Sequence, residues 1–204
     1  MKKLTLGIFI LIFIFSSCNS DKVRESLMPN VTGKAGEVVV VIENAYWEGA
    51  IGDTLKTYFL QPQIGLPQAE PLVDLVNIPS VAFTDIFKTH RNIIYTYISS
   101  SVKKPEVLIK RDFHAKPQLY INIEAPDKES FMELLMANRE KILAAVLKIE
   151  RERIISTYNK YPERGLKNHL MKTHDLTVTM PKGYRLRIDS TDFVWYSYET
   201  QLTS

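Results

Sequence analysis

The sequence predicts an α+β domain in which helices cover one face of a mainly antiparallel sheet. Three observations carry that expectation. Segments rich in β-branched and aromatic residues recur at Glu37–Glu43, Asn92–Ile98, Glu106–Asp112 and Gln118–Glu124. One long helical pattern follows Asp127, and strand patterns return before the C-terminus. The order is strand, helix, three strands, long helix, short helix, three strands.

Glu37–Glu43 (EVVVVIE) is an unbroken apolar run, the pattern of a strand buried on both faces. Trp47–Leu60 reads as a helix with Ile51, Leu55, Tyr58 and Phe59 on its inner side. Gln61–Pro71 is rich in proline and reads as irregular. Phe83–Lys88 reads as a short helix, and Asn92–Ile98 and Glu106–Asp112 as strands. Gln118–Glu124 alternates cleanly, with Leu119, Ile121 and Ile123 facing inward. It is expected to lie antiparallel to Glu106–Asp112, and both to share one sheet with Glu37–Ile42 and Asn92–Ile98. Asp127 is the expected N-cap of a helix running to about Tyr158. Phe131, Leu134, Leu135, Ile142, Val146 and Ile149 form its apolar stripe. Pro162 and Gly165 end it. A short helix is expected at Leu166–Lys172, then strands at Leu176–Thr179, Tyr184–Ile188 and Phe193–Tyr198. The last strand stands so near the terminus that it has few candidate partners, which suggests a shortened chain and exposed apolar surface near Phe193–Tyr198.

The N-terminus is the most specific stretch. Lys2 and Lys3 precede an almost unbroken apolar run from Leu4 to Phe15, and Ser16, Ser17 and Cys18 follow. The run is about 18 Å long as a helix, against the ~20 apolar residues that a bilayer core requires. It therefore fits the hydrophobic region of a signal peptide. Cys18 is the only cysteine in the chain, so no disulfide can form within it. Its position predicts lipidation after removal of residues 1–17, with Phe15 standing where leucine is commoner. The alternative is an ordinary signal peptide followed by an unrelated cysteine. Residues 18–36 then read as the lipidated cysteine and a polar linker, and residues 37–204 as a single α+β domain. Acyl chains would hold the protein on a membrane.

Composition excludes some classes. Removing Lys2 and Lys3 leaves 24 basic against 23 acidic residues. A near-neutral domain gives no reason to expect nucleic-acid binding. His169 and His174 are five positions apart, about 140° round a helix, so they do not share a face and no metal site is expected. Glycine-rich phosphate loops, dinucleotide fingerprints and nucleophile elbows are absent from the sequence, so no cofactor is expected and no catalytic residue is assigned.

Two segments concentrate chemistry. Lys88-Thr89-His90-Arg91-Asn92 precedes a strand, and Arg111-Asp112-Phe113-His114-Ala115-Lys116-Pro117-Gln118 joins two strands. At one end of the sheet they would gather His90, Arg91, Asn92, Arg111, Asp112, Lys116 and Gln118 into a candidate site for a carboxylate or phosphate. The plainer alternative is that Arg91 pairs with Asp112 and the rest are solvated loop charges.

Several of these stretches together resemble the domain of unknown function 4837 family, lipoproteins of Bacteroidota. They are Cys18 after the signal, Glu37–Val41, Trp47-Glu48-Gly49 with Gly52-Asp53, and Leu66-Pro67-Gln68 with Glu70-Pro71. Thr89-His90-Arg91-Asn92, Ala115-Lys116-Pro117-Gln118 and Phe193-Val194-Trp195 complete the set. The resemblance implies a lipoprotein whose chain here is shortened at its C-terminus. It also implies tryptophan at position 114, from which His114 departs. It carries no activity over.

The expected function is that of a lipid-anchored envelope protein, non-enzymatic, binding a protein partner or an anionic ligand. The membrane is its partner through the N-terminal lipid. Asn19 follows Cys18 where an aspartate would favour inner-membrane retention, so the expected place is the outer membrane, facing the periplasm. The alternative is a hydrolase acting on envelope material.

Overall fold

The computed structural model describes residues 26–199. The expected signal segment and Cys18 lie outside the described residues. No described helix is long and apolar enough to cross a membrane. The chain forms two compact units that divide between Val146 and Leu147.

The first unit holds a five-stranded sheet. Its strands are β1 (Glu37–Val41), β2 (Asp74–Ile78), β3 (Asn92–Ile98), β4 (Glu106–Arg111) and β5 (Leu119–Ala125). The strand order is β2-β1-β3-β5-β4. Pairs β1–β2, β1–β3 and β3–β5 are parallel, and only β4–β5 is antiparallel. The expected mainly antiparallel sheet is therefore wrong: the sheet is mixed and mostly parallel. The reason lies in the connections. Parallel neighbours need a long crossover, usually helical. Between β1 and β2 the chain makes helices α1 (Asn44–Trp47) and α2 (Ala50–Phe59). Sequence reading gave no strand to Asp74–Ile78 (DLVNI), so the crossover had no visible destination. As an edge strand, β2 keeps Asp74 and Val76 exposed and lacks a long apolar run. The expected antiparallel pairing of β4 with β5 is present, with Ile109 opposite Ile121.

The helix expected from Trp47 to Leu60 is split. Its break sits where Gly52 packs against α1: a Cβ there would lie 1.8 Å from the Trp47 carbonyl oxygen. A short 3-10 turn (Ser80–Ala82) and α3 (Asp85–Lys88) precede β3.

The alternation of side chains across the pleat divides the core into two layers. On one face, Val39, Val41, Ile78, Ile93 and Tyr120 form a cluster covered by Phe83, Phe87, Tyr95 and Phe113. On the other, Val38, Val40, Ile94 and Ile121 are fully buried. Ile51, Leu55 and Phe59 of α2 and Phe131, Leu135 and Ile142 of the long helix α4 (Lys128–Lys160) are closed to solvent as well. The two helices touch where the Thr54 hydroxyl donates to Met132 Sδ at 3.7 Å. Helix α4 starts at Asp127, whose Oδ1 accepts the Ser130 backbone N–H at 2.8 Å. That is the expected N-cap.

The second unit contains the last part of α4, helix α5 (Arg164–His174) and an antiparallel hairpin, β6 (Arg185–Asp189) with β7 (Val194–Ser197). The strand expected at Leu176–Thr179 does not form, and Leu176 and Val178 are exposed. Every residue of β6 is exposed. Phe193, Trp195 and Tyr198 are each at least half exposed, at 56%, 50% and 56%, so apolar surface does stand open near Phe193–Tyr198.

Candidate functional site

The structure brings the two polar segments together at the amino ends of β3 and β5. There they form an internal network. Gln118, fully buried, donates through Nε2 to the Lys88 and His90 carbonyls at 2.7 Å each, and its Oε1 accepts the His114 N–H at 2.8 Å. Asn92, also fully buried, donates to the Glu37 carbonyl at 2.9 Å. The His90 ring is 6% exposed as a residue, with Nδ1 3.1 Å from the Asn92 carbonyl and Nε2 2.7 Å from Glu37 Oε1. Both ring nitrogens thus face oxygen acceptors. Asp112 takes a left-handed backbone (φ 53°) and exchanges bonds with Gln118, N–H to carbonyl at 3.0 Å and Oδ1 from N–H at 2.9 Å.

The preceding chain closes over this network. Thr32 N–H donates to Thr89 O at 2.9 Å, Arg91 N–H to Thr32 O at 3.0 Å, and Lys116 N–H to Pro29 O at 2.8 Å. Gly33 (φ +92°) lies on the His90 ring, where a Cβ would fall 2.2 Å from Nε2. Arg91 and Lys116 are half-buried and Arg111 is exposed, and all three are engaged with partners. Buried polar groups must find partners, and here His90, Asn92 and Gln118 find them in β1, β3, helix α3 and two loops. Their geometry is that of a clasp.

The opposite end of the sheet has a different character. The connection leaving β1 runs towards β2 on one side, whereas that leaving β3 runs towards β4 and β5 on the other. In open parallel sheets, ligands sit outside the carboxyl ends of the strands at such a reversal. A crevice of about 240 Å³ opens there, lined by Glu43, Tyr46, Ser80, Tyr95, Thr96, Tyr97 and Ile98. Glu43 follows β1 and accepts the Ser80 N–H at 3.2 Å. Thr96 is fixed by a 2.8 Å bond to the Val41 carbonyl. Ser101 and Ser99 hydrogen-bond the Tyr97 hydroxyl and hold its pKa below the ordinary tyrosine value. Tyr95 is braced by Phe83 at 5.5 Å and by Tyr120 at 6.3 Å between ring centroids. The wall is thus hydroxyls and aromatic faces with one carboxylate. Sequence reading missed it because its residues come from three separate stretches. The one available signal was a doubly buried strand ending in a lone glutamate.

A second group of polar residues lies within the second unit. The Asp189 carboxylate receives both histidines of α5, His169 Nε2 on Oδ2 at 2.6 Å and His174 Nε2 on Oδ1 at 2.5 Å. These hydrogen bonds keep Asp189 below the usual carboxylate pKa. The spacing argument set the two histidines apart. It fails because His174 is the final helical residue and a third residue, from β6, stands between the rings. A cavity of about 480 Å³ adjoins, with His174, Leu170, Met180 and Tyr196 in its wall.

Residues 31–159 match the family described as Domain of unknown function (DUF8532). Neither the curated proteins nor the solved structures include a match to this chain. The clasp and the β1/β3 crevice fall inside the matched span, whereas His169, His174 and Asp189 fall beyond it. The family is not the domain of unknown function 4837 family that the motifs resemble. Since the matched residues cover more than half of the sequence, the chain belongs to the family of unknown function DUF8532.

Proposed function

We propose that the protein is a lipid-anchored envelope protein that binds a small polar ligand in the crevice at the carboxyl ends of β1 and β3. The anchor rests on sequence alone: Lys2, Lys3, the apolar run Leu4–Phe15 and Cys18. On this reading the lipid on Cys18 holds the protein at the outer membrane, facing the periplasm, as in a Bacteroidota lipoprotein. Mass spectrometry of the mature N-terminus tests it. An acylated Cys18 supports the anchor, and an uncleaved or unacylated N-terminus contradicts it.

The observation that supports binding is the position and lining of the crevice. At about 240 Å³ it suits a ligand of monosaccharide or amino-acid size. Hydroxyls of Tyr46, Ser80, Thr96 and Tyr97 offer paired donors and acceptors, and Tyr95 offers an aromatic face. Glu43 sets the sign. A carboxylate in the wall repels an anion and favours a neutral hydroxylated or ammonium-bearing molecule. Of the residues expected to hold an anionic ligand, His90, Asn92 and Gln118 spend these polar groups inside the fold, and the crevice is the site we favour.

Titration calorimetry with a panel of monosaccharides, amino sugars and amino acids tests the proposal. One member of the panel should bind, and Glu43→Gln should weaken it by roughly 10- to 100-fold, as expected for a charge-assisted hydrogen bond of about 1.5–3 kcal/mol. Binding that Glu43→Gln and Tyr46→Ala leave unchanged would place the ligand elsewhere. A protein partner is a second reading, favoured by the open apolar side chains Phe193, Trp195 and Tyr198.

A further inference from the structure

We infer that His169, His174 and Asp189 form a binding site for a divalent transition-metal ion of the zinc class, joining helix α5 to the β6–β7 hairpin. The donor set comes first. One ligand atom from each residue lies within 4.8 Å of the others. Two imidazole nitrogens and a carboxylate oxygen suit zinc and its neighbours, not calcium or magnesium, which prefer oxygen alone. Zinc bonds of ~2.0–2.2 Å in a tetrahedron put neighbouring donors about 3.3 Å apart. The present separations, 2.6 and 2.5 Å between Asp189 and the two histidines, are those of hydrogen bonds, which a bound ion would replace. The donors are partly sheltered, with side-chain exposures of 34% for His169, 11% for His174 and 24% for Asp189.

Two further observations point to a missing group. The Tyr196 hydroxyl is buried and has no hydrogen-bond partner among the described residues. Burial first, and then the nearby Asp189 charge, raise its pKa. A buried hydroxyl left unpaired calls for a water or ion in its surroundings. Tyr196 and His174 share the wall of the 480 Å³ cavity, together with Leu170, Val178 and Met180. Three protein ligands leave a zinc-class ion at least one open position for a water, and Tyr196 stands in the wall of the cavity that His174 lines.

The second observation is the thinness of the second unit's own core. Among its described residues only Ile149, Leu170 and Met180 are buried apolar side chains, and Glu150 and Arg153 are buried as a charged pair. Small units with so little apolar core commonly rely on a metal or disulfide clamp. With Cys18 the only cysteine in the sequence, no disulfide can supply it.

Calorimetric titration of the full chain in detergent micelles with Zn²⁺, and absorption spectroscopy with Co²⁺, test the site. One Zn²⁺ per chain should bind, and Co²⁺ should give visible bands of a four- or five-coordinate nitrogen–oxygen site. Asp189→Asn and His174→Ala should each weaken Zn²⁺ by at least the roughly 10–100-fold that loss of even an outer partner costs. His169→Ala, which truncates the most exposed of the three side chains, guards against misfolding of the other variants and should weaken it likewise. His114→Ala, in the first unit, should leave binding unchanged. Matching circular dichroism spectra establish that each variant is folded. No stoichiometric uptake, or uptake indifferent to Asp189→Asn, His174→Ala and His169→Ala, would overturn the assignment and leave the three residues as a hydrogen-bonded cluster only.

Discussion

Gln118 shows how a single side chain can organise one end of a sheet. It satisfies two carbonyls and one N–H from different segments while fully buried. Gln118→Ala strips partners from all three, at roughly 1–3 kcal/mol for each buried group left unsatisfied. Urea denaturation should therefore show a loss well above that of an ordinary surface substitution. An unchanged midpoint would mean that water replaces the amide. Gly33→Ala is expected to cost about 1–3 kcal/mol by the same measurement, since it combines a strained left-handed backbone with a collision at His90 Nε2. Tyr120 adds a pH-dependent contribution. Burial pushes its pKa from 10.0 up to about 12. A raised folded value favours the protonated form, so this stability is complete below the unfolded value near 10 and is lost as pH rises towards about 12. Ultraviolet titration of folded protein should show late-ionising tyrosine, and Tyr120→Phe should remove part of that late phase. Residue types let the sequence single out His90, Asn92 and Gln118. Type alone could not tell whether their polar atoms face solvent or the core, where these three build the clasp.

Among the elements, the long helix was the easiest to read and the edge strand the hardest. Asp127, the apolar stripe and the stop near Pro162 placed α4 within a few residues of its observed bounds, because capping and periodicity are local properties. Leu135→Ala should cost ~2–5 kcal/mol, the range for truncating a leucine that is 1% exposed. A loss near zero would mean that the helix contributes nothing to the core. Asp127 has its pKa lowered chiefly by the Ser130 backbone N–H. The cap therefore stabilises above the unfolded carboxylate pKa and fades as pH falls through the folded value. Wild type should be more stable than Asp127→Ala at neutral pH, and the gap should close in acid. A gap that persists in acid would assign the effect to something other than the ionised cap. Strand direction, by contrast, is set by partners distant in sequence. The run Glu37–Glu43 announced a strand buried on both faces, as a central parallel strand is. Without β2 to receive the crossover, the segments that remained read as a meander.

At the scale of the whole molecule, the two units differ in kind. The first has a two-layered core and supplies most of the span matched by the family. The second has few buried apolar side chains and a hairpin with open apolar faces. The sequence foresaw open surface near Phe193–Tyr198 but not the convergence of His169, His174 and Asp189, since helical spacing says nothing about a carboxylate arriving from a later strand. Its only trace of the β1/β3 crevice was the glutamate that ends a doubly buried strand, because the crevice exists only where the strand order reverses. We propose this crevice as the place where the protein meets its ligand. Amide chemical-shift mapping of isotope-labelled protein, titrated with the same monosaccharides, amino sugars and amino acids, tests it most directly. Saturable shifts should be confined to Glu43, Tyr46, Ser80 and Tyr95–Ile98, with the His90–Gln118 clasp unmoved. Saturable shifts centred on His90, Arg91 and Lys116 instead, or no saturable shift with any member of the panel, would contradict it.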